Sequence, residues 1–134
     1  MDMILYSHAI VSLAGYALLM MVLTALSASG RTDAMRCDCG QVKRDYANAM
    51  YRKGRAHANA VESAGPFIAA LVAAIMMGAA PFWVNLFASV FLVARIVMAY
   101  VHIGTTNQPM RSLFWAISMV CVLALAVMAI WRAF

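Results

Sequence analysis

The chain has 134 residues, 66% of them hydrophobic and 11% charged, with a mean hydropathy of +0.84. Soluble domains are about half apolar and about a quarter charged, so the composition excludes an ordinary soluble domain and indicates a membrane protein. The net charge of +5 is concentrated in one region; without interleaved aromatics or a recognisable module, it does not point to nucleic acid.

The first apolar run, Ile4–Leu26, is long enough to span a bilayer core of about 30 Å at about 1.5 Å per residue. Ser27-Ala28-Ser29 offers small residues for cleavage, but Met1-Asp2-Met3 is not a basic leader, so a retained helix is expected. Of the ten Lys and Arg, seven (Arg31, Arg36, Lys43, Arg44, Arg52, Lys53, Arg55) lie between this run and the next. The positive-inside rule places that loop in the cytoplasm and both termini on the opposite side, in the inner membrane if the source is bacterial. Attraction to anionic lipid heads would account for the same charges. Cys37 and Cys39 form a lone C-x-C without a second ligand pair; no metal site and no disulfide are expected there.

No proline interrupts Gln41–Arg55, so the second helix is expected to start near Gln41, ahead of the second span at about Ala56–Met77. Pro66 should kink that helix. The third and fourth spans, Pro81–Ile103 and Met110–Ile130, begin at or beside Pro81 and Pro109, the N-terminal position proline favours. Trp83, Trp131 and Arg132 suit the far interface, and Cys121 reads as a small buried hydrophobe. Four spans occupy roughly two thirds of the chain, leaving a single four-helix membrane domain, residues 1–134. The expected fold is all-α, an antiparallel bundle.

Charge inside the spans is the informative feature. Arg55, Asn59 and Glu62 are spaced i, i+4, i+7 and share a helix face. Glu62 and Arg95 both fall about 10–13 Å deep, and pairing is the cheapest way to keep either one. His102 follows Arg95 by seven residues, Arg111 and Trp115 are i, i+4 with Ser112 beside them, and Arg52 and Arg55 stand at the mouth of the second span. Such groups converging from three helices would form a basic pocket for a small ligand bearing carboxylates, which arginine captures bidentately. His57 faces away from Asn59 and reads as an interface residue. His8, Met20, Met21, Met76 and Met77 read as lipid-facing or core filler.

RAHANAVESAGPF at Arg55–Phe67, Ala94-Arg95-Ile96-Val97 and Pro109-Met110-Arg111-Ser112 together resemble the MAPEG family, the membrane-associated proteins of eicosanoid and glutathione metabolism. The resemblance covers about residues 52–116 at motif level. It implies a homotrimer binding glutathione as thiol cosubstrate between subunits near the cytoplasmic face. Arg55, Asn59 and Glu62 would contact the tripeptide, Arg95 would support them, and Arg31 would line the same site. Arg111 and Ser112 would lie near the thiol as the catalytic pair. The implied activity is a glutathione-dependent transferase or peroxidase acting on lipophilic electrophiles or hydroperoxides, a detoxification role. The chain departs from eicosanoid-processing members at Ala58, Met98, His102 and Trp115, where those members often carry Arg, His or Tyr. A non-catalytic membrane adaptor or assembly protein of the same fold is the alternative. A transporter is disfavoured by the absence of inverted repeats.

Overall fold

The computed structural model describes residues 2–134. It is all-helical, with α1 at Ser7–Ala28, α2 at Ala49–Met76, α3 at Pro81–Gly104 and α4 at Gln108–Trp131. A short 3-10 turn, Met3–Tyr6, leads into α1, and a second, Asp33–Met35, lies in the loop after it. Each helix is long and apolar enough to cross a membrane.

The boundaries follow local chemistry. Asn48 caps α2, its side chain accepting from Met50 N at 2.8 Å, and Asn107 caps α4 by accepting from Met110 N at 3.1 Å. Pro81 opens α3, and Pro109 lies in the first turn of α4. Gly78, with φ +64°, ends α2: Ala79 N reaches back to Ala74 O and Gly78 N to Ile75 O, the paired bonds of a glycine-terminated helix.

Two expectations are corrected. The second helix begins at Ala49 rather than near Gln41, because Asp45 and Asn48 divert the backbone: Asp45 Oδ1 accepts from Ala47 N, and Asn48 then caps. Pro66 lies inside α2, which runs on through it with one ladder bond missing. Cys37 and Cys39 are disulfide-bonded. The turn closed by Gly40 N on Cys37 O and the Arg36–Val42 bridge set their Cα atoms 5.2 Å apart, within disulfide reach. Cys121 is buried as expected.

Small residues let the helices approach. On α2 the buried positions Ala56, Ala60, Ser63, Phe67, Ala70 and Ala74 recur at three- and four-residue steps, a stripe suited to close membrane packing. Tyr16 from α1 meets Phe67 and Phe91 edge-on at 5.6 and 5.0 Å between centroids, and Phe67 stacks on Phe91 at 3.8 Å. The Tyr16 hydroxyl donates to Ala60 O at 2.6 Å, so the one polar atom on that buried ring is satisfied.

Side-chain bonds fix which ends meet. Tyr6 donates to Ala79 O and Arg132 to Gly78 O, gathering the start of α1, the α2–α3 turn and the end of α4. At the opposite end Arg52 donates to Ile103 O, and Arg111 donates to Tyr46. The start of α2, the end of α3 and the start of α4 therefore share the end that carries the basic loop.

Candidate functional site

At that end lies a hollow of about 230 Å³ lined by Arg55 and Asn59 of α2, Met98 and His102 of α3, and Arg111, Ser112 and Trp115 of α4. Each side chain arrives by helical spacing: Arg55 and Asn59 are one turn apart, as are Met98 and His102, and Arg111 and Trp115. Arg111 is half-buried, while Ser112 and Trp115 are exposed. His102 is only 3% exposed, yet neither ring nitrogen has a hydrogen-bond partner. Buried polar atoms are normally paired, and this imidazole in the wall of the hollow is not.

A larger cavity of about 550 Å³ lies beside it, lined by Arg31, Gln41, Val42, Arg44, Tyr51, Gly54, Arg55, His57 and Ala58. Arg55 belongs to the walls of both. Arg31 is held at the end of α1 by a bond from its Nε to Ser27 O. Together the two hollows present four guanidiniums, from Arg31, Arg44, Arg55 and Arg111, with Asn59, Gln41 and Ser112 among them. The arrangement suits an elongated anionic ligand, whose carboxylates find bidentate partners.

Of the residues singled out in the sequence, Arg55, Asn59, His102, Arg111, Ser112 and Trp115 line one hollow. Arg31 lines its neighbour. Arg52 is engaged with the protein: it donates to Tyr46 O at 2.9 Å, Ala47 O at 2.7 Å and Ile103 O at 3.2 Å, pinning the loop to the end of α3. Arg95, 2% exposed, lies behind the hollow and donates to Asn59 Oδ1 at 2.6 Å, to Asn59 O at 2.7 Å and to Met98 Sδ at 3.4 Å. It therefore orients two of the lining residues.

The expected Glu62–Arg95 pair is not formed. Arg95 turns to Asn59 instead, one turn nearer the loop, and Glu62 is exposed on α2. An exposed carboxylate at this position is costly against lipid unless water or another polypeptide covers it.

Tyr46 is the residue the sequence reading missed. Its hydroxyl accepts from Arg111 Nη1 at 2.6 Å, and its ring lies 5.5 Å from the Arg111 guanidinium carbon and 5.9 Å from the His102 ring. The turn-forming Asp45 and the capping Asn48 on either side were the available signal that this segment is a shaped loop rather than helix. Among the described residues, no three or more His, Cys, Asp or Glu side chains gather as metal ligands.

No curated protein and no solved structure matches this chain significantly. A family model described as the MAPEG family matches residues 9–131, nearly the whole chain and all four helices. The four-span architecture, with polar side chains from α2, α3 and α4 gathered at one end of the bundle, is thus that of a multi-pass membrane protein belonging to the MAPEG family.

Proposed function

We propose that the protein is a membrane glutathione-dependent transferase or peroxidase that acts on lipophilic electrophiles or hydroperoxides. The observation that supports this most is the hollow in which Arg55, Asn59, His102, Arg111 and Ser112 converge, with a buried imidazole left unpartnered. MAPEG members include glutathione transferases and peroxidases, and also non-catalytic proteins. The hollow of about 230 Å³ is smaller than the roughly 300–1,000 Å³ of a typical ligand site. The tripeptide would therefore place its thiol end there and extend past Arg55 toward the larger cavity.

A free thiol ionises near pH 8.5, and its anion is the nucleophile. The Arg111 guanidinium would favour that anion electrostatically, since arginine does not exchange protons near neutral pH. Ser112 would donate to the sulfur. Assembly as a homotrimer would cover Glu62, which is exposed in the single chain. The basic loop would face the cytoplasm by the positive-inside rule, in the inner membrane of a bacterial source, where the Cys37–Cys39 bond would be transient. Isothermal titration of the detergent-solubilised protein with glutathione tests the reading. Saturable binding is expected, and its absence would remove glutathione from the function.

A second reading, a non-catalytic adaptor or assembly protein, is favoured by one observation. Arg52 and Arg95 each make three bonds to protein atoms, and Arg111 already holds Tyr46. On that reading Glu62→Ala disrupts the oligomer, while Arg111→Ala leaves cellular activity intact.

A further inference from the structure

We propose that Tyr46, carried by the loop ahead of α2, is the proton donor of this site when the oxidant is a hydroperoxide. The inference rests on the reading above, in which a glutathione thiolate forms beside Arg111.

The phenol is positioned from several directions. Arg52 grips the backbone carbonyls of Tyr46 and Ala47 and ties both to Ile103 O at the end of α3. The ring packs edge-on against Tyr51 at 6.4 Å and lies tilted by 31° beside His102. Arg111 donates to the phenol oxygen at 2.6 Å. Among the described residues that oxygen donates to nothing, so its own hydrogen is unspent. Arg111 and His102, both in contact with Tyr46, line the hollow of about 230 Å³. A hydroxyl with a free proton thus stands next to the cation that would hold the thiolate, on a loop that two hydrogen bonds tie to Arg52 and a third ties, through Arg52, to α3.

Hydroperoxide reduction has a use for that proton. The thiolate sulfur attacks the terminal oxygen of ROOH, the S–O bond forms, and the O–O bond breaks with its electron pair leaving on the alkoxide oxygen. Tyr46 gives its proton to that alkoxide, and ROH departs. The phenolate left behind lies against the Arg111 cation and regains a proton from water, which replaces the one the thiol released on binding. The glutathione sulfenic acid condenses with a second glutathione to give the disulfide and water. The sum is two thiols and ROOH giving one disulfide, ROH and water. Displacement of chloride from an activated aryl chloride needs no such donor, because chloride leaves as an anion.

The two substrates therefore separate proton donation from every other demand on the site. Tyr46→Phe keeps the ring, its packing and the loop while removing the hydroxyl. The full chain in nanodiscs is assayed with glutathione against cumene hydroperoxide and against chlorodinitrobenzene. The expected result is a fall of at least about tenfold in hydroperoxide turnover relative to chloride displacement, as for loss of a general acid. The KM for glutathione should be unchanged, and the solvent deuterium effect on hydroperoxide turnover should be lost. An unchanged ratio overturns the assignment, whether both rates fall together or neither does. Chloride displacement without hydroperoxide turnover in the unaltered protein overturns it too and leaves the thiol reading standing. No glutathione-dependent turnover of either substrate, with no binding by calorimetry, rejects both.

Discussion

Asn59→Ala removes the shortest bond made by the most buried cation in the molecule. Arg95 is 2% exposed, and its guanidinium is held by Asn59 Oδ1 at 2.6 Å, Asn59 O at 2.7 Å and the weak acceptor Met98 Sδ. A hydrogen bond to a charged group contributes about 1.5–3 kcal/mol in soluble proteins. Interhelical bonds measured in membranes average about 0.6 and reach about 1.7 kcal/mol. The backbone acceptor survives the substitution, so the expected loss is about 1–2 kcal/mol. The more diagnostic quantity is the sign of the coupling. Asn59→Ala leaves a buried charge short of acceptors, whereas Arg95→Met removes the charge and fills similar volume, a change that is often neutral. The double variant should therefore be more stable than Asn59→Ala alone. Reversible unfolding in mixed micelles, followed by circular dichroism, supplies the four stabilities of the cycle. Strict additivity of the two substitutions would refute the conclusion that Asn59 is what allows Arg95 to be buried.

Arg52→Ala should release the loop from α3, since three carbonyls lose their donor at once. Limited proteolysis should then cut within residues 41–48 faster than in the unaltered protein; an unchanged digestion pattern would show that Arg52 does not hold the loop. In protein purified without reductant, Cys37 and Cys39 should resist maleimide and Cys121 should react slowly, because two are bonded and the third is buried. Intact-mass measurement should find two fast additions after reduction, and fast labelling beforehand would mean that the pair is open.

The fold was legible because the hydrocarbon core admits few backbone solutions: four long apolar runs bounded by Pro81, Pro109 and Gly78 left little choice of element. The site was legible in part for the same reason. Helical spacing alone put Arg55 with Asn59, and Arg111 with Trp115, on common faces, and topology brought those faces to one end. Two things escaped. Matching Glu62 to Arg95 used depth only, and nothing in the spacing said that Asn59, on the same face and one turn nearer the loop, would take the guanidinium through both its side-chain and backbone oxygens. Tyr46 escaped because it lies in an irregular segment, where no periodicity reports which way a side chain points. Asp45 and Asn48 signalled a turn, but not that the turn would lay a phenol against Arg111. Arg52 was assigned to the ligand on charge alone, and its carbonyl partners become visible only once the loop is folded back.

The most direct measurement is a pH titration of thiolate absorbance for glutathione bound to the unaltered protein and to Arg111→Ala. With Arg111 in the hollow, ionisation should occur below the roughly 8.5 of a free thiol, each unit corresponding to about 1.36 kcal/mol, and it should return toward that value when the guanidinium is removed. Identical titration curves in the two proteins, each saturated with glutathione, would contradict a thiolate held by Arg111.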